Sequence, residues 1–126
     1  MVFPIDKFSR TPIYEQIIER FTEQVAAGVI KENERLPSVR ELSGVLGINP
    51  NTIQKAYLEL DRQGLITSLP ARGSFVSENA AEIVKQKQLG RLAELSALAK
   101  ELYQAGATEE ELVAAVKKAI GKEDLL

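Results

Sequence analysis

Two helix starts and two helix stops crowded into residues 38–64 constrain this chain more than any other feature. Ser38 followed by Glu41 is a capping box, which predicts a helix beginning at Val39. Gly47 stands where that helix ends in the left-handed conformation. Asn49 caps the next helix, and Pro50 fits its first position, where no amide hydrogen is needed. That second helix is predicted over Pro50 to Gln63, and Gly64 ends it. Leu65 to Leu69 and Ser74 to Val76 read as short strands around Pro70-Ala71-Arg72-Gly73, and Leu36 and Pro37 as a short strand beside them. Helix, tight turn, helix and hairpin make a winged helix-turn-helix, an arrangement that lays one helix in the DNA major groove. The same spacing fits an ordinary helical hairpin and a β-hairpin with no DNA contact.

Residue types on the second helix separate these readings. Ile53, Ala56, Tyr57 and Leu60 share one face and are expected in the core. Asn51, Thr52, Gln54 and Lys55 lie near its start on the other side, and no acidic residue occurs from Gly44 to Leu58. Asn and Gln pair bidentately with adenine, Thr meets a thymine methyl, and Lys reaches guanine or phosphate. A merely solvated helix tends to carry Glu in its first turn, where the macrodipole favours it. A polyanion disfavours that placement.

These segments resemble the DNA-binding domain of the GntR family of bacterial transcription regulators. The resemblance rests on Leu36-Pro37-Ser38-x-Arg40-x-Leu42, then Asn51-Thr52-Ile53-x-x-Ala56-x-x-x-Leu60, then Gly64-Leu65-Ile66 and Arg72-Gly73-Ser74-Phe75-Val76. Pro12-Ile13-Tyr14-Glu15-Gln16-Ile17 resembles the family's first helix, and the likeness covers residues 11–77. The short remainder resembles the YtrA-type subgroup, whose members carry only a small helical tail. The resemblance implies that Arg40 contacts DNA; the alternative is a surface ion pair with Glu41 or Glu59. It also implies that Arg72 and Gly73 form a wing tip near the minor groove. The candidate DNA-binding residues are Ser38, Arg40, Asn49, Asn51, Thr52, Gln54, Lys55, Arg72 and Gly73. Two positions depart from the family. Pro50 stands where many relatives have Arg, and Ala71-Arg72-Gly73 replaces the usual Gly-x-Gly of the wing.

Charge opposes the DNA-binding reading at first sight. The net charge over 126 residues is −2, with 16 Lys and Arg against 18 Asp and Glu. Residues 1–79 hold nine basic and ten acidic side chains, so the expected DNA-binding domain is not itself basic. A positive field must come from local placement, with Arg40, Lys55, Arg72 and the lead-in residues Lys7 and Arg10 as its sources. Non-specific affinity per chain is then weak, and a specific site read by a dimer compensates.

The chain is expected to comprise a winged helix-turn-helix domain over 1–79 and a helical dimerisation tail over 80–126. The fold class is mainly α with a small β-hairpin. Residues 1–10 read as a loose lead-in. Thr11 is expected to cap a first helix opened by Pro12, with Ile13, Ile17, Phe21 and Val25 as its apolar stripe. After a polar connector over 77–82, the tail reads as two helices. Leu92, Leu95, Leu98 and Leu102 mark one apolar face. Thr108 and Glu111 form a second capping box before Val113 and Val116. Two helices cannot cover both stripes, so these six apolar residues are expected to pack on a second chain or on the first domain. The YtrA-type resemblance implies a dimer.

Other chemistry finds little support. The chain has no Cys and no His, which removes disulfides, zinc fingers, thiol nucleophiles and Ser-His-Asp triads. Glu109-Glu110-Glu111 is the only cluster inviting a catalytic or metal reading. Consecutive helical residues diverge, and a Glu-rich first turn suits the macrodipole. No enzyme activity and no cofactor are expected. The N-terminus lacks a signal core and no apolar run approaches membrane-spanning length, so a cytoplasmic protein is expected. The expected function is operator-specific repression as a homodimer on an inverted repeat. The rival is a winged helix that binds protein through the same face. Nothing nominates a small-molecule effector.

Overall fold

A computed structural model of the chain describes residues 3–123. Helices α1 (Ile13–Ala26), α2 (Val39–Leu46) and α3 (Pro50–Arg62) precede strands β1 (Ile66–Leu69) and β2 (Gly73–Val76). Helices α4 (Ala80–Leu89), α5 (Leu92–Gln104) and α6 (Glu109–Ala119) follow. The chain divides into two compact units, one running to Lys87 and one from Gln88.

In the first unit, α1 turns Ile17, Phe21 and Val25 inward against Ile53, Ala56 and Leu60 of α3. Leu42 from α2 and Leu65, Ile66 and Val76 from the hairpin complete this core. The predicted stops and starts of the central motif form, although of the expected Ser38–Glu41 capping box only the serine half is made. The Ser38 hydroxyl accepts the Glu41 amide at 3.0 Å, Gly47 is left-handed at φ 65°, and Asn49 Oδ1 accepts the Asn51 amide at 2.9 Å. Tyr57 locks the two helices from beneath, its buried phenol donating to the Pro37 carbonyl at 2.7 Å. Burial, and after it the Glu41 charge, raises the Tyr57 pKa well above its ordinary value.

The N-terminal segment departs from expectation. Residues from Phe3 on are no loose lead-in: Phe3 is 2% exposed within the core. The segment is clasped by buried Gln16. Its Oε1 accepts the Asp6 amide at 2.9 Å, and its Nε2 donates to the carbonyls of Asp6 and Thr11 at 2.9 and 2.8 Å. Thr11 does not cap α1, which starts one residue later than a threonine cap would place it. Pro12 occupies the cap position without a side-chain bond, and the Thr11 carbonyl is taken up by Gln16. A helical Gln satisfying three backbone groups of a preceding segment leaves no periodic signal in sequence.

The hairpin pairs Ile66 with Val76, Thr67 with Phe75, Ser68 with Ser74 and Leu69 with Gly73. The residue before the expected Leu36–Pro37 strand makes the bridge to its edge, Arg35 opposite Phe75. The Leu36 amide donates to the Ser74 carbonyl and the Val76 amide to the Glu34 carbonyl. At the tip the Arg72 amide donates to the Leu69 carbonyl at 3.0 Å, with Pro70 second and Ala71 third at φ 63°. That is the pattern of a type II turn, whose third position favours glycine. A left-handed alanine costs about 1 kcal/mol, part of which glycine gives back through its freer unfolded chain. Ala71→Gly is expected to stabilise the unit by about 0.5 kcal/mol and raise its Tm by a few degrees in circular dichroism melts. An unchanged or lower Tm would show that the turn bears no strain.

Three helices follow the hairpin, where two were expected. Helix α4 was missed because only Ala80, Ile83 and Val84 mark its inner face, too few for a visible stripe. Ala80 and Val84 are each 1% exposed in the core of the first unit, which therefore extends beyond the 79/80 boundary read from composition.

The second unit is an α5–α6 helical hairpin turned at Gly106, φ 111°. Thr108 and Glu111 complete their capping box reciprocally, at 3.1 and 3.0 Å. The Thr108 amide and hydroxyl hold the Glu111 carboxyl below its ordinary pKa.

Candidate nucleic-acid interface

The first turn of α3 presents Asn51, Gln54 and Lys55 to solvent and half-buries Thr52, with no acidic residue among them. Acidic residues enter only in its last turns. There Glu59 is forked by Arg62 through Nε at 2.8 Å and through Nη2, and accepts Gln63 at 2.9 Å. Hydrogen bonds from Arg62 and then Gln63 pull the Glu59 pKa down to about 2. The helix thus opens polar and uncharged-to-basic; of the two carboxylates near its end Glu59 is held by Arg62, while Asp61 makes no ion pair among the described residues.

Arg40 projects from the first turn of α2 and is exposed, with no ion pair among the described residues. The alternative partner Glu59 is engaged by Arg62 instead. Arg72 is exposed at the hairpin tip, and Gly73 behind it holds φ 113°, a conformation closed to most side chains. Ser38 and Asn49 both serve first as caps, at the N-termini of α2 and α3.

Ser38, Gln54 and Gly73 line one cleft between α3 and the hairpin, so residues far apart in sequence meet. Asn51 and Lys55 instead line a groove shared with α1. The Lys55 ammonium lies 3.9 Å from the centroid of the Tyr14 ring. Such an exposed contact is worth about 0.5–1 kcal/mol, small enough for the lysine to exchange it for a phosphate. Sequence reading missed one lining residue, Arg35, which joins the Ser38–Gln54–Gly73 cleft. The available signal was its place just before Leu36-Pro37-Ser38, in the segment expected beside the wing.

In the tail, Leu92, Leu95, Leu98, Leu102, Val113 and Val116 are all between 43% and 56% exposed. No residue of α5 or α6 is buried. Among the described residues, no helix is long and apolar enough to cross a membrane.

Residues 13–76 match the family described as bacterial regulatory proteins, gntR family. The chain is 43% identical over 109 residues to the HTH-type transcriptional repressor YtrA of Bacillus subtilis, covering 86% of this chain and 84% of that protein. A transcriptional regulator from Oenococcus oeni superposes with a TM-score of 0.76 at 35% identity, over 92% of this chain and 97% of that one. The DNA-binding domain of AraR, solved in complex with operator ORR3, superposes with a TM-score of 0.51 at 30% identity, over 61% and 93% of the two chains. A matching regulatory-family profile and a relative alike over most of both lengths place a helix-turn-helix with a two-stranded wing in one lineage: the chain belongs to the GntR family of DNA-binding transcription regulators, with a small helical tail of the YtrA type.

Proposed function

We propose that this regulator represses transcription by binding an inverted-repeat operator as a homodimer in the cytoplasm. The acid-free, exposed opening of α3 carries the reading. It lies opposite the buried Ile53–Leu60 face, and the chain also exposes Arg40, without an ion pair among the described residues, and Arg72 at the hairpin tip. In this reading α3 enters the major groove, where Asn51 and Gln54 read base edges and Thr52 meets a thymine methyl. Lys55, Arg40, and the caps at Ser38 and Asn49 engage the backbone. Arg72 and Gly73 approach the minor groove, whose narrow A·T stretches concentrate negative potential. The AraR complexes with operator DNA support DNA as the partner, and the name of YtrA supports repression.

The tail supplies the second copy. Six of its exposed apolar residues, Leu92, Leu95, Leu98, Leu102, Val113 and Val116, form stripes of the kind that soluble proteins cover with a partner. A domain of balanced charge gains little from non-specific attraction, so two joined half-sites compensate. We assign no effector.

Duplexes selected by the protein from its source genome provide the test, followed by binding of Asn51→Ala and Gln54→Ala. Each variant is expected to lose about 1–3 kcal/mol and relax base preference at one position in each half-site. If both bind every sequence as the parent does, α3 is not the reading helix. Binding of a protein partner with no salt-dependent affinity for duplex DNA would favour the protein-interaction reading instead.

A further inference from the structure

Arg35 falls outside the family motifs and outside the contacts just proposed, yet its surroundings are specific. Its backbone is pinned to the wing: it bridges Phe75, and the hydrogen bonds of Glu34 and Leu36 to Val76 and Ser74 flank it. Its side chain is thereby laid across Gly73. A Cβ built on that glycine would meet Arg35 Nε at 3.1 Å and Nη2 at 3.5 Å. Gly73 is favoured by its φ of 113°, and any side chain there would also press on the arginine beside it.

The guanidinium lines the cleft between α3 and the wing, with Ser38, Gln54, Ser68 and Ser74 around it. Asp61 lines the same cleft, but no ion pair joins the two, and Arg35 is exposed and unpaired among the described residues. An arginine whose backbone is pinned and whose donors make no hydrogen bond or ion pair among the described residues can offer its fork to a phosphate. When a helix lies in one groove and a wing in the next, the strand separating those grooves passes between them.

We propose that Arg35 grips a phosphate of that intervening strand, serving as a sequence-independent clamp between the recognition helix and the wing. The inference rests on the DNA-binding geometry proposed above. It adds a backbone contact that fixes the distance from helix to wing. A side chain at position 73 would crowd the guanidinium as well as strain the backbone.

The test measures binding of the full chain to a selected duplex and to a scrambled duplex of equal length, by fluorescence anisotropy across a range of KCl. Arg35→Ala is expected to weaken both complexes by a similar factor, about tenfold. It should also reduce the slope of log affinity against log salt by about one for each chain bound. Arg35→Lys is expected to keep the slope while recovering only part of the affinity, since an ammonium lacks the fork. Gly73→Ala is expected to mimic the affinity loss. A normal salt slope in Arg35→Ala, with faster amide exchange in the hairpin, would make Arg35 a structural brace and overturn the clamp. A salt-dependent parent with an unaffected Arg35→Ala sinks only this inference. A parent with no salt-dependent duplex binding sinks the DNA-binding geometry and this inference together.

Discussion

Replacing Leu95 and Leu102 together by aspartate is expected to convert the protein to monomers that no longer hold an operator, while the first unit stays folded. The two leucines stand seven residues apart on one face of α5 and are 47% and 43% exposed in the single chain. Burying a leucine contributes about 1.5–3 kcal/mol, and a symmetric contact uses each position twice. Aspartate removes that gain and adds carboxylates whose desolvation costs several kcal/mol unless they are paired. Dissociation should therefore be complete at micromolar concentration. Each monomer then retains only its own half-site contacts, and affinity for the full inverted repeat, with half-site centres about 10 bp or a small multiple apart, should fall by orders of magnitude. Sedimentation reads the mass, gel shift reads the binding, and the melt of the first unit serves as control. A parent that sediments as a monomer and occupies its operator one chain at a time would overturn both the dimer and the role of the tail.

Phe3→Ala is expected to cost about 3 kcal/mol of stability in the first unit. Burying and then truncating a Phe costs about 3–5 kcal/mol where the walls cannot collapse, and a site near a chain end relaxes more readily than one in mid-helix. Phe3 is 2% exposed, and the segment behind it is held by the three hydrogen bonds of Gln16. Losing the anchor should also loosen that clasp, leaving a Gln side chain that is 4% exposed short of partners. Against a typical total of 5–15 kcal/mol, such a loss is large. It should appear as a lower denaturant midpoint with little change in slope. A variant as stable as the parent would return the N-terminal residues to the status of a passive lead-in.

The central motif was legible because its signals are local and discrete. A capping serine, a left-handed glycine, an asparagine before a proline and a second glycine each act through backbone geometry within a few residues. Helix α3 ran from Pro50 as read, ending at Arg62 with Gln63 as its cap. Its inner face of Ile53, Ala56, Tyr57 and Leu60 was visible through its period. The first turn of α1 was misread for the converse reason. Thr11 has the chemistry of a cap, but Gln16 claims its carbonyl from five residues away. Helix α4 was invisible because three apolar residues sufficed to dock it.

By itself the sequence determined the helix-turn-helix, the wing and the acid-free start of α3, since these depend on residue type at short range. It also determined that the tail would be amphipathic. Tertiary structure alone decided which distant groups share a surface. It buried Phe3 among the helices, drew Lys55 over Tyr14, gave Glu59 to Arg62 with Arg40 in no ion pair among the described residues, and laid Arg35 across Gly73. A backbone cap is settled by neighbours along the chain, whereas the partner of a long charged side chain is settled by whichever opposite group the packed core brings within reach.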